Sequence, residues 1–159
     1  MKITILCVGK IKESFYREAV GEYVKRLSRY CRLEIVEVAD ERTSDKASAA
    51  LEDQIREREA DRLLARLEEG AFVCTLEIQG KRYTSEGFAE AINRAGLSGQ
   101  SHMVFLIGGS LGLHEKVRKR SQQAVSFSDM TFPHQLMRVI LCEQIYRAYR
   151  IINGEPYHK

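Results

Sequence analysis

No apolar run in this 159-residue chain approaches the roughly 20 residues needed to span a bilayer. The opening Met1–Gly9 stretch also lacks the apolar length and small-residue cleavage site of a secretory leader. A cytoplasmic protein with no membrane partner is therefore expected. The cysteines Cys7, Cys31, Cys74 and Cys142 are scattered, with no C-x-x-C pair and no histidine at zinc-finger spacing, so no metal site is expected. Cys7 and Cys74 sit in apolar, strand-like runs, where a free cysteine behaves as a small buried hydrophobe. Gly9-Lys10 follows the first strand but lacks the rest of a P-loop, and no G-x-G-x-x-G follows any strand. Those absences set aside phosphate-cradling NTPases and ordinary NAD enzymes. Repeats, low-complexity tracts and linkers are missing too, and the length suits one domain over residues 1–159.

What is present is the composition of a folded globule, 44% hydrophobic and 30% charged. The net charge of +3 says little, but its distribution says more. Residues 10–32 hold seven Lys/Arg against three Glu, and residues 114–120 hold four against one. Residues 40–69 are acidic, with ten Asp/Glu against six Lys/Arg. A basic face can meet nucleic acid, although charge alone favours an ordinary solvated surface.

Strand-like and helix-like patterns alternate along the chain, the signature of an α/β fold with a mainly parallel sheet. Strands are expected at Ile3–Val8, Leu33–Val38, Phe72–Ile78, Met103–Ile107 and near Ala124–Phe127. Between them, helical spacing appears over Ile11–Tyr30, Lys46–Leu67 and Ser85–Ala95, and from about Leu113. A final helix is expected from Pro133 to Ile152, with the proline in its first turn. Leu136, Val139, Ile140, Ile145, Tyr149 and Ile152 spread around more than half of that helix. Such a helix must be buried on two sides. One side belongs to its own sheet, and a homodimer is expected to cover the other.

Two strands run into glycine, at Gly80 and at Gly108-Gly109. Ligands in open α/β sheets bind beyond the carboxyl ends of strands, where glycine lets backbone groups approach closely. Turn geometry alone explains these glycines about equally well. The run Gly108-Gly109-Ser110-Leu111-Gly112 also fits G-x-S-x-G, with Asp129 and then His134 or His158 following in hydrolase order. A small serine hydrolase using Ser110 is therefore an alternative, weakened by the lack of an HGGG-type segment. The third segment, Ser126 to His134, supplies hydroxyls, a carboxylate and apolar walls, with Thr131 a candidate helix cap.

Taken together, Leu76-Glu77-Ile78-Gln79-Gly80-Lys81, Ile107–Leu113, Phe127–Gln135 and the terminal Pro156-Tyr157-His158-Lys159 occur in order across the chain. With the Met1–Ile5 opening and Tyr146-Arg147-Ala148, they resemble the bacterial large-subunit ribosomal RNA pseudouridine methyltransferase family of the SPOUT class. The resemblance implies a parallel sheet flanked by helices with a C-terminal trefoil knot, which general rules of chain topology disfavour. It implies S-adenosylmethionine as cofactor, held by Leu76, Gly108 and the run Phe127, Ser128, Asp129, Met130, Thr131 and Phe132. It also implies a homodimer acting on N3 of a pseudouridine in the assembled ribosome.

The ring N–H of pseudouridine is weakly acidic, so a base or oxyanion stabiliser would help methyl transfer. His134 follows the cofactor loop, and Arg138 lies one turn on, able to hold a base carbonyl or phosphate. His158 titrates in the useful range as well. Those three are the candidate catalytic residues. Tyr157, His158 and Lys159 form a polar tail, expected to be disordered unless it contacts something, and to fold over an active site, its own or a second subunit's, where it meets RNA. Glu143 and Arg147, four apart, are expected to pair along the helix. A ribosome-binding protein that keeps the fold without catalysis is the other alternative.

Overall fold

A computed structural model describes every residue, Met1–Lys159. Strands β1 (Lys2–Val8), β2 (Arg32–Val38), β3 (Phe72–Arg82), β4 (His102–Ile107) and β5 (Gln123–Ser126) form one sheet. Its order is β2-β1-β4-β3-β5, and every neighbouring pair is parallel. Helices α1 (Ser14–Leu27), α3 (Ser85–Leu97) and α5 (His134–Ile152) cover one face, and α2 (Ala49–Leu64) and α4 (Glu115–Arg120) the other.

Strand periodicity places the core. Ile3, Ile5 and Cys7 point towards α1, α3 and α5, while Leu6 and Val8 point towards α2 and α4. In β4, Met103, Phe105 and Ile107 take the first face, and Val104 and Leu106 the second. Both faces are covered at the centre of the sheet, so β1 and β4 are almost wholly apolar, whereas β2 at the edge alternates with Arg32, Glu34 and Glu37. Leu141 and Ile145 of α5 are wholly buried, each worth roughly 1.5–3 kcal/mol in apolar burial. No helix is long and apolar enough to cross a membrane.

Helices α1, α2 and α4 begin later than the apolar spacing implies, while α3 runs on to Leu97, and caps explain two of the starts. The Ser48 hydroxyl accepts from the Leu51 N–H at 3.2 Å, so α2 begins at Ala49 and not at Lys46. His114 Nδ1 accepts from the Lys116 N–H, and α4 begins at Glu115. Thr131 is not the cap of α5. Pro133 occupies that position without a side-chain hydrogen bond.

The breadth of the apolar surface on α5 has an internal explanation. Its flanks meet both α1 and α3: Tyr146 packs on Tyr23 and Tyr30, and the Gln144 amide oxygen accepts from Ser85.

β3 runs past its expected end at Ile78 and continues to Arg82. Leu76 and Lys81 both stand opposite Val125 of β5, so residues 77–80 bulge out between two paired stretches. Gly80 closes the bulge. A Cβ there would lie 2.6 Å from the Val125 carbonyl carbon and 2.7 Å from that of Ala124, both backbone atoms with no freedom to move aside. Replacing Gly80 with alanine should therefore push β5 off β3 and cost about 2 kcal/mol or more. Urea denaturation of Gly80→Ala checks this, and an unchanged midpoint would contradict the close approach.

Candidate active site

The loops leaving the carboxyl ends of β3, β4 and β5 surround a cavity of about 930 Å³. Each wall follows from local backbone chemistry. After β4 the chain turns tightly: the Gly112 N–H donates to the Gly109 carbonyl at 3.0 Å, and Gly112 takes a φ of +81° that favours glycine. A Cβ on Gly108 would lie 2.8 Å from the Gly112 carbonyl carbon, so the turn closes only because Gly108 has none. Behind it, Gly109 rests against Val8 and the buried carboxyl of Glu59. Burial raises that carboxyl above the ordinary range, while its Oε2 accepts from the Glu41 N–H.

The loop after β5 is braced internally. Ser126 donates to the Ser128 carbonyl at 3.1 Å, and the Ser128 hydroxyl accepts from the Met130 N–H at 3.0 Å. Leu76, Gly108, Phe127, Ser128, Met130, Thr131 and Phe132 all line the cavity, as the sequence suggested. Asp129 does not, since its carboxylate turns outward to pair with Arg82. Sequence reasoning gave no role to Glu77 and Arg118, which form an ion pair on the cavity wall, with Glu77 held by a 2.7 Å hydrogen bond from Thr75. The bulge in β3 brings Glu77 there, and no local pattern announces a bulge.

Of the three candidate catalytic residues, only His134 reaches the cavity. It opens α5, packed near Gly9, and its Nδ1 is buried with no hydrogen-bond partner. Burial, and next the Arg138 charge, hold its pKa below 6.5, and Asp40 and Glu13 oppose them. The ring is therefore neutral at neutral pH.

Arg138 shares that helix face but points away from the cavity. It is fully buried. Its Nη1 donates to Glu37 at 2.8 Å, and its Nη2 to the carbonyls of Gly9 at 2.6 Å and Val8 at 3.3 Å. Its Nε is buried without a partner, and the side chain does not line the cavity, where the sequence had suggested that it might hold a base carbonyl or phosphate.

The tail is ordered and lies elsewhere. Tyr157 packs edge-on to Tyr146 at 4.9 Å beneath the Arg147 guanidinium and donates to Glu143. His158 contacts Glu86 at 2.7 Å and Arg147 at 3.2 Å. Glu143 and Arg147 do pair along α5. Arg147 lies thirteen residues beyond His134, or about 20 Å along the axis.

Ser110 lines the cavity without a histidine hydrogen-bonded to it, and Asp129 and His158 are paired elsewhere. The serine-hydrolase constellation is not assembled. Cys7, Cys74 and Cys142 are equally unsuited to nucleophilic work, since burial pushes each thiol up to about 12.

A parallel sheet that gathers three backbone-built loops around one cavity at its carboxyl edge defines a small-ligand-binding α/β protein. The chain belongs to the SPOUT methyltransferase family: the family model described as "Predicted SPOUT methyltransferase" matches residues 1–158. Among its relatives is the ribosomal RNA large subunit methyltransferase H of Bifidobacterium adolescentis, 58% identical over the full length of both chains. The protein of that name from Clostridium tetani is 55% identical, again over all of both. A solved structure, a probable methylase family protein from Haemophilus influenzae Rd KW20, superposes with a TM-score of 0.57. That match covers 99% of this chain and 70% of the other at 11% identity, and it speaks to the fold alone.

The lowered pKa of His134 carries a sign for stability. As pH falls below 6.5 the unfolded chain takes up the proton before the folded one, so stability declines in that range. His134→Gln should lose that part of the decline. Urea midpoints measured between about pH 7.5 and about pH 5 test it, and parallel curves for the two proteins would refute a neutral, buried His134.

Proposed function

We propose that this chain transfers a methyl group from S-adenosylmethionine to N3 of a pseudouridine in large-subunit ribosomal RNA, on the assembled ribosome. The observation that carries the proposal is the cavity: the residues that the family resemblance assigns to the cofactor line one backbone-built pocket with a neutral histidine at its wall. Full-length identity above one half to relatives named for ribosomal RNA methylation supports the substrate. The chain acts in this reading as one cytoplasmic domain, residues 1–159. The family resemblance supports a C-terminal trefoil knot.

The pocket fits the cofactor. Its volume lies within the usual range for ligands of that size, and the Gly108 turn brings main-chain groups to its wall. Leu76, Phe127 and Phe132 would flank the adenine, Gly108, Met130 and Thr131 would offer backbone groups, and Ser128 a hydroxyl, with Asp129 at the rim. When bound, S-adenosylmethionine supplies an electrophilic methyl on a cationic sulfonium. The protein's own work is to orient the uracil ring and remove its proton. His134, neutral and on the cavity wall, would accept that proton. Arg138 acts indirectly, by holding His134 neutral and fixing the Gly9 loop beside it.

The tail enters through a second copy. Tyr157, His158 and Lys159 are anchored too far along α5 to serve their own pocket, so a homodimer presents them to the partner copy's pocket and its RNA. A non-catalytic ribosome binder would bind the cofactor and the ribosome without turnover.

Tritiated S-adenosylmethionine incubated with ribosomes lacking the modification should label large-subunit RNA. Gly108→Val should reduce both labelling and cofactor binding at least about tenfold, because its Cβ forces the turn open. Cofactor binding without any label would instead support the non-catalytic reading. Deleting residues 157–159 should abolish labelling while calorimetry still finds cofactor binding, and unchanged turnover would remove the tail from the mechanism.

A further inference from the structure

We propose that the loop Gly9–Glu13 and the first turn of α1 form the wall on which the RNA substrate docks, with Phe15 stacking on an unpaired base and Lys10 and Lys12 taking the adjoining phosphates. This rests on the methyltransferase reading and adds the surface that receives the RNA.

Phe15 is 61% exposed on the first turn of α1, although it is a large apolar ring with the helix's buried face available to it. Its one aromatic neighbour is Tyr16, at 4.4 Å between ring centroids, and its outer face is open. Lys10 and Lys12 are exposed beside it, and neither pairs with a carboxylate, whereas Lys2 and Lys116 both do. An open aromatic face flanked by unpaired cations is the chemistry of single-stranded nucleic-acid binding: the ring takes a base of any identity and the ammonium groups take phosphates.

The loop is also built with unusual rigidity for an exposed segment. Arg138 holds the Gly9 carbonyl at 2.6 Å from inside the core. Glu37, the partner of Arg138, accepts from the Ile11 N–H at 3.1 Å. Arg17 Nη1 donates to the carbonyls of Lys12 at 3.0 Å and Ile11 at 3.3 Å. Three charged side chains thus hold the backbone of Gly9, Ile11 and Lys12, a pre-organisation that a solvated turn does not need and a docking wall does.

Position agrees with the role. Gly9 packs near the His134 ring, and Glu13 is near enough to His134 to raise its pKa. Phe15 follows on the first turn of α1, so the RNA that it stacks would run on from the Gly9 loop beside His134. The other occupant with matching chemistry is a second copy of this chain, whose contact would cover Phe15 instead.

The test is binding and turnover on large ribosomal subunits lacking the methyl group, measured separately. Phe15→Ala should weaken subunit binding about tenfold and raise KM in proportion, leaving S-adenosylmethionine binding and the sedimentation coefficient unchanged. Phe15→Tyr, which keeps the ring, should restore binding. Lys10→Ala with Lys12→Ala should lower the slope of log affinity against log salt by about 1.4, the value for two phosphates on a single strand. Unchanged subunit binding by Phe15→Ala would overturn the proposal, as would a shift of that variant from dimer to monomer, which would assign the face to a second copy. If the wild-type protein binds subunits through Phe15 but transfers no methyl group, the docking wall stands and the methyltransferase reading falls. A wild type that does not bind subunits overturns both.

Discussion

The guanidinium of Arg138 is the point from which the functional end of this molecule is organised. Fully buried at the start of α5, it ties that helix to the carboxyl end of β1 through two main-chain carbonyls and to β2 through Glu37. A buried charge is tolerable only where its donors find acceptors, and the geometry of the fork fixes where those acceptors stand. Glu37 in turn fixes the Ile11 amide, so one ion pair sets the position of α5, the Gly9 loop and the entrance to α1 together. His134 lies one helical turn away, and the Arg138 charge adds to burial in keeping its ring neutral.

Around that anchor, the pocket is made mostly of backbone. Gly80 and Gly108 lie where any Cβ would strike main-chain atoms, which lets β3 wrap β5 and lets the β4 loop fold flat. Main-chain walls suit a ligand that is recognised along its whole length, because carbonyl and amide groups offer closely spaced acceptors and donors without the entropy of long side chains. The charged side chains are kept at the rim, where Glu77 pairs with Arg118 and Asp129 with Arg82. The cavity end of α5 is therefore electrically quiet, with a neutral imidazole as its titratable group. Basic and aromatic groups lie outside it, at Lys10, Lys12 and Phe15, where a polyanion would approach.

Much of this was legible in the residues. The five strands and five helices follow from apolar periodicity, since burial on both faces makes the central strands β1 and β4 apolar, one wet face makes β2 alternate, and each helix is striped. The Gly108 and Phe127–Phe132 segments follow from glycine and turn chemistry at strand ends. Arg138 did not: its spacing from His134 suggests a shared site, but a long side chain can reach in several directions and the sequence does not say which. Glu77 was missed because its place depends on a bulge that pairs Leu76 and Lys81 with the same residue of β5. The tail was expected to be loose, yet Tyr157 is held by Tyr146, Arg147 and Glu143, partners brought together only when α5 is formed.

By itself, then, the sequence determined the order and kind of the elements, the parallel α/β class, and the segments whose loops line the cavity. These are local matters, set by side-chain period, caps and glycine within a few residues. Tertiary structure alone decided the strand order β2-β1-β4-β3-β5, the inward turn of Arg138, the outward turn of Asp129, and the separation of the tail from its own chain's pocket. Each depends on which distant backbone or charge stands opposite a side chain, and that is fixed by packing of the whole sheet and not by neighbours in the chain.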